Sequence, residues 1–176
     1  MKQVIEKLAH DRSKFAAEAE KERLKKTLED NEHDMPLFVA HVIAEFMKQL
    51  KSQDNAPRMR EAELAWALAG FIKSIAPKIL VSVEAEVHSG ERGYGRADLL
   101  LERSDEKLLV ELKRMQFSNS LVRNGLDKLD RYMDISGVKQ GVLVLANAPF
   151  ESVEFSDTVT PSGHRVVVVS PERIAT

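Results

Sequence analysis

The chain has 176 residues and no cysteine, and its 26 Lys+Arg against 28 Asp+Glu give a formal net charge of −2. The length suits one ordinary domain with a small helical appendage, and 43% hydrophobic residues are enough to bury a core. The absence of cysteine excludes a disulfide framework and any thiolate nucleophile or metal ligand. The near-neutral charge argues against a histone-like coat for nucleic acid, but it leaves a local basic groove open.

No segment predicts export or membrane insertion. The longest apolar run, Leu64–Ile72, is too short to cross a bilayer. The first residues are charged and contain no apolar stretch of the kind that a secretory signal needs. We therefore expect a cytoplasmic protein without membrane contact.

Residues 1–55 are predicted to form a helical N-terminal extension. Sixteen of the positions from 2 to 32 are charged and none is Gly or Pro, which indicates a solvated helix with a thin apolar stripe. A second helix is expected to begin with Asp34 as its cap and Pro36 in its first turn. Two interpretations of the first helix stay open: a lone surface helix, or a helix that docks on a partner protein or a second copy.

The remaining residues, 56–176, are predicted to form one α/β domain after a polar linker at 52–57. Periodicity and turn residues indicate the succession helix, three strands, helix, strand, strand. The three consecutive strands have short connections, which favours an antiparallel meander. In chain order, the predicted elements are a helix at 58–75, strands near 79–83, 98–102 and 108–113, a helix at 118–135, a strand at 141–146, a loop at 147–163 and a strand at 165–169.

Three charged residues interrupt strands that are otherwise rich in Leu and Val. Glu111 and Lys113 are two apart on one strand and leave the same face, and Asp98 opens the strand before it. Two carboxylates at one end of a sheet can hold Mg²⁺, which polarises a phosphate and activates water, while an ammonium neutralises developing charge. Each residue taken singly is common, and solvated strand charges are the alternative interpretation.

The same residues resemble a known family. Asp98 followed by Glu111-Leu112-Lys113 resembles the PD-(D/E)xK nuclease superfamily, which has the restriction-endonuclease-like fold. The stretch Glu91-Arg92-Gly93-Tyr94-Gly95-Arg96-Ala97-Asp98 resembles the E-x-G-x-G-R-x-D signature of one branch, many of whose members are appended to AAA-type or STAND-like ATPases in bacteria. Ala97 stands where that superfamily usually has Pro.

Two helical segments extend the resemblance over roughly residues 58–146. Glu63 with Trp66 resembles the branch's E-x-x-Y element, with Trp in place of Tyr. Lys128-Leu129-Asp130-Arg131-Tyr132 resembles its Q-x-x-x-Y element, with Lys128 where Gln is usual. The first 55 residues are not covered.

The resemblance implies an αβββαβ core with a mixed sheet and Mg²⁺- or Mn²⁺-dependent cleavage of nucleic acid, with DNA favoured over RNA. It implies Asp98 and Glu111 as metal ligands, with the Leu112 carbonyl as a third. It also implies Lys113 as the catalytic lysine and Glu63 as an additional acidic group from the preceding helix.

Basic residues near this site offer a phosphate groove, although ordinary surface charge explains part of the set. The candidates for nucleic-acid contact are Arg96, Arg114, Arg123, Lys128, Arg131 and Tyr132. Trp66 is expected in the core, and Gly93 and Gly95 are expected to serve a hairpin. His41 and Glu45 favour a surface pair over zinc because a third ligand is absent nearby.

The sequence leaves two functions open. The first is a metal-dependent nuclease that acts on phosphodiester bonds. The second is a non-catalytic module on the same fold that binds nucleic acid or a protein partner through the N-terminal helices. A homodimer through residues 1–50 is predicted because cutting both strands of a duplex with such a core needs two sites.

Overall fold

A computed structural model describes residues 17–51, 59–89, 93–114, 119–146 and 153–171. Residues 17–30 are helical (α1). The further elements are α2 (Met35–Lys51), α3 (Glu61–Ile75), β1 (Leu80–Ser89), β2 (Gly93–Arg103), β3 (Glu106–Lys113), α4 (Asn119–Ser136), β4 (Gln140–Leu145), β5 (Val153–Val159) and β6 (Arg165–Pro171). Six sequence predictions fall wholly or partly outside the described residues: the first half of the N-terminal helix, the linker at 52–57, the first residue of each helix predicted at 58–75 and 118–135, Glu91 with Arg92, and the start of the loop at 147–163.

The six strands form one mixed sheet in the order β1-β2-β3-β4-β6-β5. The pairs β1–β2, β2–β3 and β5–β6 are antiparallel, whereas β3–β4 and β4–β6 are parallel. The α/β class and the predicted antiparallel meander are therefore both present. The parallel step from β3 to β4 needs a crossover, which α4 supplies.

Two apolar cores lie on opposite faces of the sheet. Along β3, Leu108, Val110 and Leu112 enter the core that α2 and α3 cover, whereas Leu109 enters the core that α4 covers. This alternation follows from the two-residue period of a strand. The result is a sheet between two helical layers, and charged side chains on the α4 side of β3 are enclosed by that helix.

Helix α2, from the predicted N-terminal extension, packs directly on the sheet. Met35, Val39 and Ile43 are almost fully buried in the same core as α3. Asp34 accepts a hydrogen bond from the Leu37 amide at 3.2 Å, as expected of a cap, and also pairs with Arg165 of β6 at 3.0 Å. Helix α2 thus supplies part of the apolar layer under the strands that carry the candidate site.

The structure corrects the expected loop at 147–163, because Val153–Val159 forms the edge strand β5. In β5 only Val153, Phe155 and Thr158 are partly buried and the other residues are exposed, so the strand lacks the apolar run of a central strand. Strands β1 and β2 are also longer than predicted, since they extend to Ser89 and from Gly93 into the expected turn. No helix in the described ranges is both long and apolar enough to cross a membrane.

Candidate active site

The ladders beside Asp98 are interrupted. In the β1–β2 ladder, Val83 pairs with Leu99 and Ala85 with Ala97, and between these pairs Glu84 has a φ of +51°. The β2–β3 ladder begins at the pair of Leu99 with Val110. A positive φ at a residue other than glycine is uncommon and marks a local distortion of the strand. The distortion lies directly opposite Asp98.

The carboxylate of Asp98 makes a side-chain contact with β3 at the point where the backbone ladder has ended. Its Oδ2 accepts a hydrogen bond from the Leu112 amide at 2.7 Å, although the backbone pairing of β2 with β3 stops one residue away. On either side of Asp98, Leu99 enters the core under α3 and Ala97 enters the core under α4. The side chain is therefore held at the point where β2 changes its facing and separates from β3.

Glu111 is fully buried and asymmetrically paired. Its Oε1 accepts hydrogen bonds from Lys113 Nζ at 2.9 Å and from Lys128 Nζ of α4 at 2.5 Å. Its Oε2 is buried and receives no hydrogen bond from the described part of the chain. A buried carboxylate oxygen without a donor costs free energy, so the arrangement indicates a place for a further positively charged or donating group.

The electrostatics of the two acids are coupled. Burial, together with the negative charge of Glu111, raises the pKa of Asp98 to about 6, even though the Leu112 amide and the two lysines act in the opposite direction. For Lys128, burial acts to lower the pKa, but the hydrogen bond and charge of Glu111 outweigh it and raise the pKa. Lys128 therefore keeps its charge beside Glu111, whereas the charged form of Asp98 is disfavoured.

The donors present fit an oxygen-preferring cation. The carboxylates of Asp98 and Glu111 lie close enough to influence each other, and one oxygen of Glu111 has no partner among the described residues. Mg²⁺ and Mn²⁺ accept such a partial set and complete it with water or phosphate oxygens. The described residues contain no group of three His, Cys, Asp or Glu that could hold a metal ion, so the Leu112 backbone oxygen stays a prediction of the resemblance.

Helix α3 meets the site through Glu61. The Oε1 atom of Glu61 accepts a hydrogen bond from the Arg114 amide at 2.9 Å, immediately after Lys113. The Oε2 atom of Glu63 instead accepts a hydrogen bond from the Arg60 amide at 2.7 Å, which caps α3. The resemblance pointed to Glu63, but the contact with the residue that follows β3 is made by Glu61, because the tertiary placement of α3 decides which acid faces the end of β3.

Trp66 is not in the core, contrary to the expectation. It is 61% exposed, because the buried face of α3 is formed by Leu64, Ala65, Leu68, Ala69 and Ile72. The indole lies on the solvent side of the helix.

The predicted nucleic-acid residues separate into exposed and enclosed groups. Arg96, Arg123 and Arg131 are exposed, and Arg114 is half-buried at the end of β3. Lys128 is engaged with Glu111. A groove of about 640 Å³ beside α4 includes Arg123, but its lining includes none of the three residues Asp98, Glu111 and Lys113.

Tyr132 is buried, so its ring is not accessible for stacking on a nucleobase. It is 6% exposed, and the side chains of Lys128 and Arg131 lie over its ring at 5.4 and 5.3 Å. Its ring packs against Gly95, where an added Cβ would lie 2.3 Å from Cε1. Gly95 therefore permits close contact between β2 and α4, whereas Gly93, with a φ of +107°, meets the expected hairpin requirement.

A second buried polar cluster escaped the sequence analysis. Asp130 of α4 accepts hydrogen bonds from Thr160 and from Ser162, and His164 Nδ1 lies 2.8 Å from its Oδ1. These residues connect α4 to the turn between β5 and β6. The partners are 30 or more positions apart in sequence, and no spacing pattern predicts such a contact.

No family model matches the chain, and no curated protein matches it.

Proposed function

We propose that the chain is a metal-dependent nuclease of the PD-(D/E)xK superfamily that hydrolyses phosphodiester bonds, with DNA favoured over RNA. The observation that carries the proposal is the state of Glu111, which pairs with Lys113 through Oε1, lies near enough to raise the pKa of Asp98, and has a buried Oε2 without a partner among the described residues. Buried carboxylate oxygens are ordinarily hydrogen-bonded, so an oxygen without a donor supports a place for a cation beside Glu111.

The element order supports the finer fold assignment. Helix α3, strands β1 to β3, helix α4 and strand β4 follow one another in the chain, which is the αβββαβ succession that the resemblance implies. The candidate residues lie on β2 and β3, and α4 encloses them from one side. This placement supports the restriction-endonuclease-like core as part of the proposal.

Each protein group has a specific role in the proposed reaction. Asp98 and Glu111 would hold the cation, and Lys113, 2.9 Å from Glu111 Oε1, would orient the attacking water or neutralise charge that develops on the phosphate. A bound Mg²⁺ or Mn²⁺ would polarise the phosphate and lower the pKa of a coordinated water. The exposed Arg96, Arg123 and Arg131 would contact backbone phosphates without reading sequence.

A cleavage assay with a matched lysine control tests this function. The protein is incubated with linear, nicked and branched DNA and with RNA, in Mg²⁺, in Mn²⁺ and in EDTA. Metal-dependent cleavage is expected, with a loss of at least about 100-fold in Lys113→Ala, because one preorganised charge is removed from the transition state. Lys107→Ala is the control, since Lys107 lies on the same strand, is exposed and pairs with Glu102.

The result also separates the two functions that the sequence left open. If no substrate is cut and Lys113→Ala binds nucleic acid as the wild type does, the nuclease proposal is wrong and a non-catalytic binding module is indicated. Equal loss in the Lys107 and Lys113 variants would show a general effect on folding or binding and would also contradict the assigned role.

Double-strand cutting by this core would use two copies, and we propose that residues 1–50 join them. The described part of α1 is mostly exposed and highly charged, and α2 uses its apolar face on the sheet. Light scattering after size exclusion is expected to show a dimer. A strict monomer at high concentration would contradict the dimer and leave the single-site reaction unaffected.

A further inference from the structure

We propose that the site binds a single divalent cation, and that the Lys128 ammonium occupies the position beside Glu111 where a second cation would bind. The inference rests on the proposed function and concerns how many ions that function uses. It is carried by the unequal surroundings of the two oxygens of Glu111.

The first argument is access to Glu111. Two ammonium groups lie against the same oxygen, Oε1, at 2.9 and 2.5 Å, while Oε2 is left without a partner among the described residues. In a two-metal site, ions about 4 Å apart share ligands that bridge them. In this arrangement Glu111 cannot hold one ion on each of its oxygens, because only Oε2 is without a partner among the described residues.

The second argument is Asp98. One of its oxygens, Oδ2, already accepts the hydrogen bond from the Leu112 amide at 2.7 Å. One oxygen of each acid already accepts a hydrogen bond, so each side chain has one remaining oxygen that could bind a cation. While Lys128 also occupies Glu111 Oε1, that donor set is sufficient for one partly hydrated ion and insufficient for two.

The third argument is charge. Asp98 and Glu111 carry two negative charges, and Lys113 and Lys128 carry two positive charges, so the four side chains are together neutral. With one bound divalent ion, the site has a net positive charge, and this charge balances the extra negative charge that develops in a phosphoryl transition state. A second ion would add repulsion against two nearby ammonium groups.

Lys128 is held in this position by its own helix. Its ammonium lies 5.4 Å from the centre of the Tyr132 ring, four residues further along α4, and that ring is packed against β2 at Gly95. The long side chain is thus directed at Glu111 Oε1 rather than left in solvent, where its exposed fraction would be high. It is 31% exposed.

Binding of Mn²⁺ to the full chain without nucleic acid tests the inference, by calorimetry and by electron paramagnetic resonance of free Mn²⁺. One ion per chain is expected for the wild type. In Lys128→Gln, a second ion per chain is expected, and the first should bind about tenfold more tightly because one neighbouring positive charge is removed. Lys128→Arg should again bind one ion, since it retains the charge.

Arg131→Gln is the matched control, because it removes a positive charge from the same helix that is not paired with Glu111, and it should bind one ion. Circular dichroism and thermal unfolding establish that each variant is folded. Two ions in the wild type, or one ion in Lys128→Gln with unchanged affinity, would overturn the inference and leave the metal-dependent nuclease standing. No Mn²⁺ binding by the wild type would overturn both proposals.

Discussion

Helix α4 contributes to two buried polar clusters that are satisfied to very different degrees. The Asp130 cluster comprises Asp130, Thr160, Ser162 and His164, and both carboxylate oxygens of its acid have hydrogen-bond partners. The Glu111 cluster comprises Asp98, Glu111, Lys113 and Lys128, and one oxygen of Glu111 has no partner among the described residues. Lys128 and Asp130 are only two positions apart, so one helix serves both clusters.

The pKa shifts of the two aspartates have opposite signs. For Asp130, burial acts to raise the pKa, but hydrogen bonds from Thr160, His164 and Ser162 outweigh it and lower the pKa. For Asp98, burial and Glu111 prevail and raise the pKa to about 6. A buried acid whose carboxylate oxygens all accept hydrogen bonds stabilises the fold. A buried acid with an unpaired oxygen lowers the stability of the fold and is typical of ligand-binding sites.

The largest effect on stability is expected in the Asp130 cluster. In Asp130→Asn, the charged acceptor of four contacts is replaced by a neutral amide, and the free energy of unfolding should fall by about 2–3 kcal/mol. Urea denaturation measures the change. Asp134→Asn is the control and should lose less than about 1 kcal/mol, since Asp134 is 54% exposed.

The pH dependence of the Asp130 effect follows from the sign of the shift. A lowered folded-state pKa contributes stability that is present above the ordinary value of 3.8 and is lost as the pH falls through the lower folded value. The difference between wild type and Asp130→Asn should therefore shrink below about pH 3.8. A difference that grows with acidity would show that the cluster is not stabilised by the ionised acid.

A somewhat smaller effect is expected where β2 contacts α4 beside both clusters. In Gly95→Ala, the new methyl group would overlap the enclosed Tyr132 ring, and a loss of about 1–3 kcal/mol is expected from overpacking. Gly70→Ala is the matched control on α3, because no atom lies within 4 Å of the added Cβ. It should gain about 0.5–1 kcal/mol from helix propensity, and equal losses in both variants would refute the packing argument.

The smallest expected change is a gain, in the Glu111 cluster. Asp98→Asn keeps an oxygen to accept the Leu112 amide but removes a buried charge that Glu111 repels. Without divalent metal, the variant should be about 1–2 kcal/mol more stable than the wild type at pH 8, after allowance for relaxation around the buried group. Thermal unfolding measures the gain, with Asp105→Asn in the exposed β2–β3 turn as the control.

The sign of the Asp98 effect is opposite to that of Asp130. A raised folded-state pKa favours the folded state below 3.8, and this contribution is lost as the pH rises through about 6. The advantage of Asp98→Asn should therefore appear between about pH 4 and 6 and persist above it. A variant that is less stable than the wild type at pH 8 would show that Asp98 is a structural acid like Asp130.

The predicted elements were most accurate where the periodicity was strong. Helix α4 was predicted within one residue at each end, and β4 within one residue, because both carry regular apolar patterns. Strand β5 was missed, since this edge strand has no fully buried side chain and most of its residues are polar. Trp66 was misplaced because the width of the buried face of α3 depends on its contacts with α2 and the sheet.

In the candidate site, too, local contacts were predictable from the sequence and long-range contacts were not. The spacing of Glu111 and Lys113 by itself places both side chains on one face of a strand, and the hydrogen bond between them agrees with that spacing. The approach of Lys128 and the choice of Glu61 over Glu63 at the end of β3 depend on how α4 and α3 pack. Those contacts join residues that are 17 and 53 positions apart.

The sequence by itself determined the α/β class, the antiparallel meander and the placement of an acid and a lysine on one face of β3. These properties are local, because they follow from the two- and four-residue periods of strands and helices. Only the tertiary structure decided that one oxygen of Glu111 has no partner among the described residues, while both oxygens of Asp130 have partners. Hydrogen-bond saturation of a buried acid depends on donors from distant segments, and no local pattern encodes which donors arrive.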